Sequence, residues 1–300
     1  MDAATAQRLC EVTNAFYRTH GASFSQTRQG AWPGWKTCFD VLERRGFLNG
    51  ARRRGALSVF DMACGNLRFE AYAAFVLHPL RPTFYAVDNC DALARGLDAP
   101  GAAAAAGGVP AAVAVGASSA GAAGPDAPAA GARALGAALA GADVRYQGLD
   151  VLRALQGGAS LQQAVDAPSC DLSVAFGFLH HVPGHDRRVA VLRALAGQTR
   201  PGGYMVASFW RFLHDAAFAA KARAEHERAA AELGLPPLDA GDFVLGWQNR
   251  PGAFRYCHHF SDAELDLLSA ALEGRAREAA CFRADGRTGA MNAYVVWQVQ

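Results

Sequence analysis

The sequence lacks any Cys-x-x-Cys pair, and its seven cysteines are an odd number. Such scattered cysteines suggest neither a zinc site nor a disulfide framework, and free thiols are typical of a reducing compartment. No leucine-rich span is long enough to cross a bilayer, and Met1 is not followed by the basic and apolar regions of a signal peptide. We therefore expect a cytoplasmic protein with no membrane partner.

Net charge is also small, at +2 over 300 residues. A nearly balanced chain creates no global field that would favour DNA or another nucleic acid. The charge is uneven, however, because residues 1–55 carry nine Lys or Arg and only four acids. This local surplus suits an anionic partner near the N-terminal segment, and a solvated arginine-rich face is the alternative.

Residues 98–142 contain no aromatic side chain and consist mostly of Ala, Gly, Pro, Ser and Val. Such small side chains bury too little apolar area to offset a backbone entropy cost of roughly 1–2 kcal/mol per residue. We predict a disordered surface insertion without a chemical role.

Strand and helix patterns alternate through the rest of the chain. The apolar run 57–61 is followed by a helical pattern over 67–76 and a second strand at 83–88; further strands are predicted at 143–148, 171–176, 204–210, 279–283 and 293–298. Strict alternation predicts an α/β fold with a Rossmann-like, seven-stranded, mostly parallel sheet and helices on both faces, the last strand being antiparallel. We assign 1–55 to a helical N-terminal lobe, 56–300 to the main domain, and 211–260 to a lid over the substrate.

Acidic residues close three of these strands. Asp61, Asp88 and Asp150 would lie along one edge of the sheet, where open α/β folds bind ligands. Asp88 ends the second strand, where a carboxylate accepts hydrogen bonds from ribose hydroxyls, and a helix N-cap is the alternative role. The loop before the helix at 67–76 presents backbone N–H groups to an anion.

These motifs in this order resemble those of class I S-adenosylmethionine-dependent methyltransferases. The similarity rests on five segments within residues 57–210: Phe-Asp-Met-Ala-Cys-Gly-Asn, Ala-Val-Asp88, Gly-Leu-Asp150, the strand and loop 171–181, and Arg-Pro-Gly-Gly-Tyr at 200–204. The resemblance implies S-adenosyl-L-methionine as cofactor and 56–300 as the methyltransferase domain.

A narrower resemblance extends beyond the common fold. Seven segments are similar to those of the tRNA wobble-uridine carboxymethyl methyltransferases: Phe24-Ser-Gln-Thr-Arg28, Trp32-Pro33, Cys64-Gly-Asn66 followed by Arg68-Phe69, His180-His181, Asp186-Arg-Arg188, 255–260 and Glu264-Leu265. That family esterifies a carboxymethyl group on the anticodon uridine, and its eukaryotic members work with a small activator subunit. The resemblance implies tRNA and such a subunit as partners.

The resemblance also implies roles for particular residues. It places the cofactor's methionine end at Asp61, Ala63, Gly65 and Asn66, the ribose at Asp88 and Asn89, the adenine at Asp150 and Val151, and the wall near the sulfonium at Phe176. It places the acceptor at Arg28, His181, Arg255, Tyr256 and His258. No catalytic residue is assigned, because a carboxylate acceptor is deprotonated at neutral pH and needs no general base.

Two positions depart from the family's glycine-rich turn, namely Ala63 and Leu67. We expect the leucine to add bulk close to the methionine part of the cofactor. Two other functions therefore stay open: a methyltransferase for small-molecule carboxyl, hydroxyl or amine groups, and a non-catalytic homologue that binds RNA or a partner.

The histidines at 180, 181, 185, 258 and 259 are candidate metal ligands by type alone. Adjacent histidines in a strand point to opposite sides, and no cysteine lies at ligand spacing. We therefore predict no metal site.

Overall fold

A seven-stranded sheet forms the centre of the protein, in a computed structural model that describes residues 1–28, 30–94, 139 and 142–300. The strands are β1 (Ser58–Met62), β2 (Thr83–Asp88), β3 (Asp143–Gly148), β4 (Cys170–Ala175), β5 (Thr199–Trp210), β8 (Ala276–Ala284) and β9 (Asn292–Val299). Their order is β3-β2-β1-β4-β5-β9-β8. Strand β9 pairs antiparallel with β5 and β8, and all other neighbouring strands pair parallel, so the predicted Rossmann-like, mostly parallel sheet is confirmed.

Ten α-helices are described. They are α1 (Ala3–Gln26), α2 (Pro33–Arg44), α3 (Phe47–Arg54), α4 (Arg68–Leu77), α5 (Asp91–Ala94), α6 (Val151–Gln156), α7 (Leu161–Ala164), α8 (His185–Gln198), α9 (Ala216–Leu233) and α10 (Asp262–Ala270). None of them combines the length and the apolarity that crossing a bilayer requires.

The core lies on both faces of the sheet because alternate strand residues point in opposite directions. In β1, Val59 joins a cluster with residues of α2, α3 and α4, while the adjacent Phe60 joins a cluster with residues of α8 and α10. Both side chains are fully buried. Each such burial contributes about 1.5–3 kcal/mol, so the predicted helices on both faces hold the central strands in place.

A separate hairpin packs against the N-terminal helix. It consists of β6 (Asp242–Gly246) and β7 (Phe254–His258), within the segment that the sequence assigned to a lid. Thr13 of α1 accepts a hydrogen bond from the backbone N–H of Tyr256 at 3.0 Å. Leu9 of α1 packs in a small apolar cluster with Val244 and Phe254 of the hairpin. Helix α1 and the hairpin are therefore joined directly.

The predicted boundaries need three corrections. The polar and glycine residues of 24–33 predict that the first helix ends before Phe24, but α1 runs to Gln26. Helix α3 was not predicted. Strand β5 begins at Thr199 rather than at Tyr204, because the Pro-Gly-Gly segment forms an irregularity within the strand instead of a turn before it. The predicted insertion at 98–142 lies outside the described residues except for residues 139 and 142. The division of the chain at residue 55 stays a prediction.

Several of the basic N-terminal side chains lie at the other edge of the sheet from the three acidic strand tips. Arg54 donates to Asp171 at the start of β4, at 2.9 Å, and Arg52 pairs with Glu43 at 2.8 Å. Because β1 and β4 are parallel, their starts share the edge that lies away from Asp61 and Asp88. These arginines are engaged with acids and do not form part of the site described next.

Candidate functional site

A cavity of about 280 Å³ opens at the carboxyl ends of the strands. All the residues to which the resemblance gave a cofactor role line it, together with three of the five assigned to the acceptor. The lining residues among those predicted are Asp61, Ala63, Gly65, Asn66, Asp88, Asn89, Asp150, Val151, Phe176, Arg28, His181 and Arg255. The three acidic strand tips therefore border a common crevice.

The loop after β1 turns sharply and is tied to β2. Ala63, Gly65 and Leu67 all have positive φ angles of 58–65°. The backbone N–H of Cys64 donates to the carbonyl of Val87 at 3.0 Å, and that of Gly65 donates to Asp88 Oδ2 at 2.9 Å. A left-handed conformation costs a non-glycine residue about 1–2 kcal/mol, so these bonds hold a strained loop at the cavity wall.

Leu67 does not lie beside the methionine part of a bound cofactor, contrary to expectation. It is fully buried against Cys64 and Ala86 and does not line the cavity. Its backbone precedes α4 with a φ of 59°, and this turns the side chain into the layer beneath the loop. The leucine therefore fills core space and leaves the cavity free, whereas Ala63 lines the cavity with only a methyl group.

Asp88 accepts a backbone hydrogen bond at each carboxylate oxygen. Its Oδ2 accepts from Gly65, and its Oδ1 accepts from the backbone N–H of Cys90 at 2.8 Å. Burial raises the pKa of Asp88 to about 6, although these backbone hydrogen bonds act in the opposite direction. The group is therefore mostly ionised at neutral pH, and each oxygen has a lone pair left for a ligand hydroxyl.

Asp150 serves two purposes. Its Oδ1 accepts from the backbone N–H of Arg153 at 3.0 Å and so caps α6, and its Oδ2 accepts from Asn14 Nδ2 at 3.2 Å. Asn14 Oδ1 in turn accepts from Asn89 Nδ2 at 2.8 Å. One residue of α1 thus bridges the ends of β2 and β3, and the sequence analysis had missed it.

Aromatic side chains form the wall over β4. The Phe176 ring packs edge to face on Phe69 with centroids 4.9 Å apart, and Trp35 lies 5.9 Å from it. Gly177 follows with a φ of 68°, and a Cβ there would lie 3.1 Å from the Trp32 ring. The absence of a side chain at Gly177 lets Trp32 approach the strand tip closely.

Three arginines line the cavity, and none of them pairs with a carboxylate of the described residues. Arg28 lies 4.4 Å from the Phe24 ring centroid, and Arg255 lies 5.5 Å from that of Trp247. Arg68 donates to Asn66 Oδ1 at 3.0 Å. Burial lowers the pKa of Arg28 and brings that of Arg68 to about 10, and like charge adds to both effects. Arg255 is buried, and Arg28 and Arg68 are half-buried. Cations at this depth without an acidic partner indicate a place for an anion.

His181 is neutral and fixed at both ring nitrogens. Nδ1 lies 2.7 Å from the carbonyl of Tyr256, so this nitrogen donates, and Nε2 then accepts from the Tyr17 hydroxyl at 2.9 Å. Burial lowers the pKa of His181 to about 3. The residue holds Tyr17 and the hairpin in position and has no proton to give at neutral pH.

Tyr256 and His258 do not line the cavity, so the structure does not place them at the acceptor. Side chains alternate along a strand, and with Arg255 turned to the cavity its neighbour Tyr256 faces the other way. The Tyr256 hydroxyl donates to Asp242 Oδ1 at 2.6 Å. His258 lies between Asp242 and Glu264, at 2.5 and 2.7 Å from its two nitrogens, and Arg188 pairs with Glu264 at 3.0 Å. This buried network joins the hairpin to α8 and α10.

His180, His181 and Cys257 each place one potential ligand atom within 4.8 Å of the others. Both nitrogens of His181 are already hydrogen-bonded within the protein, as described above. The cluster therefore does not offer the three free protein ligands of a typical zinc site.

Further residues line the cavity without a role from the sequence analysis, and four of them contact residues that had one or lie beside them. They are Asn14, Tyr17, Arg68 and Trp35. A signal was present for two of them, since Asn14 and Tyr17 lie three residues apart and so share a face of α1.

The comparisons with known proteins agree with this topology. No family model matches the chain, and neither does any curated protein. Among solved structures, the DhpI–SAM–HEP complex is similar over 97% of each chain, with 16% identity and a TM-score of 0.50. The magnesium protoporphyrin IX methyltransferase ChlM from Synechocystis PCC 6803, with bound SAH, is similar over 96% of this chain and 99% of its own, with 11% identity and a TM-score of 0.50. The protein therefore has the Rossmann-like fold of the class I S-adenosylmethionine-dependent methyltransferases.

Proposed function

We propose that this protein is an S-adenosylmethionine-dependent methyltransferase that esterifies a carboxylate. The observation that supports the proposal best is the presence of opposite charges in one cavity: acids at three strand tips, and three arginines that have no acidic partner in the described part of the chain. Acids there suit a ligand rich in hydroxyl and ammonium donors, whereas the arginines suit an anionic second ligand. One cavity thus fits both reactants of a methyl transfer.

The cofactor's donors have acceptors in the chain. Asp61 Oδ1 is buried without a hydrogen-bond partner in the described residues, which fits the ammonium of the methionine end. Asp88 has lone pairs for the ribose hydroxyls, and the aromatic wall at Phe176 suits a cationic sulfonium. When bound, the cofactor supplies an activated methyl group and its own leaving group.

The protein's part in the reaction is alignment. Positioning two reactants within a closed site can supply about 7–11 kcal/mol of a barrier. Arg28 and Arg255 would hold the acceptor carboxylate, already ionised at neutral pH, so no side chain needs to remove a proton. Neutral His181, fixed by Tyr17 and the hairpin, shapes this part of the wall.

For the acceptor we propose the carboxymethyl group of a tRNA wobble uridine. The support is the sequence resemblance around Arg28 and Arg255, together with the rings of Phe24 and Trp247, which lie 5.0 Å apart beside these arginines and offer a surface on which a base can stack. Partners of this activity would be tRNA and a small activator subunit.

The acceptor is tested with radiolabelled cofactor and total tRNA, with and without the activator subunit of a related system. We expect label in tRNA that mild alkali removes as an ester. Arg28→Ala should lower label transfer at least tenfold while S-adenosylhomocysteine affinity changes less than threefold, because the side chain contacts the acceptor. The matched control is Arg53→Ala, an exposed arginine of the same N-terminal region, which should behave as wild type.

Label that never enters tRNA would exclude this acceptor, and equal losses of transfer and cofactor affinity in Arg28→Ala would exclude the assigned role of Arg28. A second acceptor class, a small-molecule carboxylate, is favoured by the placement of Arg52 and Arg54 at the far edge of the sheet, where they cannot hold RNA at the cavity. Label found in a small organic ester would favour it.

Leu67 provides a test of whether the cofactor cavity is intact. Leu67→Gly should leave S-adenosylhomocysteine affinity within about twofold, because the leucine points away from the cavity. It should lower the free energy of unfolding by about 1–4 kcal/mol, since a buried leucine is lost and a left-handed residue is relieved. Calorimetry and urea unfolding measure the two effects. A tenfold gain in affinity would instead place the leucine beside the ligand.

A further inference from the structure

Two buried carboxyl groups meet behind the cavity wall. Asp61 ends β1, and Glu70 lies in the first turn of α4 with no exposed surface. Both oxygens of Glu70 and Oδ1 of Asp61 are buried, and the two side chains lie within hydrogen-bonding reach of each other. Asp61 lines the cavity, while Glu70 lies behind it. The proposed function leaves Glu70 unexplained.

Ionising two neighbouring buried carboxyl groups at once has a high free-energy cost, because each is desolvated and each repels the other. Asp88 from β2 adds negative charge near both groups, and Asp91 lies close to Asp88. Cys64 and Tyr146 are also nearby but stay neutral, because burial raises the pKa of each. Burial and the proximity of Glu70 raise the pKa of Asp61 well above its usual range, and burial raises the pKa of Glu70 to about 7. The two groups titrate as a pair.

We propose that Asp61 and Glu70 share one proton in the ligand-free protein, and that the ammonium group of the bound cofactor displaces this proton to solvent. Glu70 is then a positioning residue: it supplies the second negative charge that holds the ammonium at Asp61. The proposal rests on the proposed function, since it requires a ligand that carries an ammonium group next to Asp61.

The balance of charge sets the pH dependence. The ligand-free pair carries one proton and one negative charge, and the complex carries two negative charges facing one ammonium, with the proton released. Release of one proton makes the association constant rise about tenfold per pH unit below the titration of the ligand-free pair, and the rise ends above it. Asp88 adds its own dependence at lower pH, through the ribose.

The experiment measures proton release by calorimetry of S-adenosylhomocysteine binding at pH 7 in buffers of different ionisation enthalpy. The matched ligand is 5′-methylthioadenosine, which keeps the ribose but lacks the amino-acid part. Its proton release reflects Asp88 alone. Wild type should release more protons with S-adenosylhomocysteine than with methylthioadenosine, by up to one proton. Glu70→Gln, an uncharged isostere, should reduce that difference to near zero, and infrared difference spectra of wild type should show a protonated carboxyl lost on binding.

The outcomes separate the two proposals. If neither ligand binds wild type at any pH, the proposed function fails. If both bind but release equal numbers of protons, or if folded Glu70→Gln releases as many as wild type, the shared proton is excluded. Should Glu70→Gln fail to fold, the two ligands and the infrared spectra of wild type still decide the question.

Discussion

Replacing Asp88 with asparagine is expected to weaken S-adenosylhomocysteine binding about a hundredfold. Both carboxylate oxygens accept backbone N–H groups, from Gly65 and Cys90. An asparagine amide turns an NH₂ group toward one of these donors, so the loop loses an anchor and the ribose loses its charged acceptor. Two such losses of about 1–2 kcal/mol each account for the expected factor. Isothermal titration calorimetry measures it.

The matched control is Asp91→Asn, an exposed acid of the same segment, whose effect should stay below threefold. The pH dependence provides a second check. The pKa of Asp88 is about 6 because of its burial, so its protonation as the pH falls below 6 should reduce the affinity of wild type. Asp88→Asn should lack this component. Equal affinities of Asp88→Asn and wild type would remove Asp88 from the ribose site.

Replacing His258 with leucine is expected to lower the free energy of unfolding by about 3–5 kcal/mol. The imidazole lies between Asp242 and Glu264, and its loss leaves the buried Asp242 without a cation, while Glu264 keeps only Arg188. Burial alone would lower the pKa of His258, but the hydrogen bonds to Asp242 and Glu264 raise it above its usual value. Urea unfolding measures the effect. The exposed control, His185→Ala, should change the free energy of unfolding by less than about 0.5 kcal/mol.

The sign of the pH effect follows from the raised pKa. The contribution of His258 is fully present below the unfolded pKa of about 6.5 and is lost as the pH rises through the higher folded value. The difference in stability between wild type and His258→Leu should therefore shrink from pH 6 to pH 9. A difference that grows with pH would mean that His258 is neutral in the folded protein.

Much of the fold was predictable because its signals are local. Apolar runs closed by acids placed β1, β2 and β3 to within a residue, and the parallel order followed from the alternation with helices. The common edge shared by Asp61, Asp88 and Asp150 followed from the same pattern. These predictions needed only the periodicity of side chains and the rule that parallel strands end on one side.

The rest depended on contacts between distant segments. Asn14 forms a hydrogen bond with Asp150, 136 positions away in the sequence, and no local sequence pattern predicts such a bond. Leu67 was assigned to the wrong side of its loop because its φ angle decides the direction of the side chain. Tyr256 and His258 were assigned to the acceptor by resemblance, whereas the register of β7 turns them to the far side. In each case geometry, rather than residue type, decides the role.

The position of α1 has a thermodynamic consequence. Asn14 bonds to Asp150 and Asn89 on the side proposed for the nucleoside. Tyr17, less than one turn further along, bonds to His181 on the side proposed for the acceptor. Because one helix contacts both sides of the cavity, binding of the cofactor and binding of the acceptor affect each other. Linkage then requires reciprocity: the factor by which one reactant alters the affinity for the other must be identical in either order of addition.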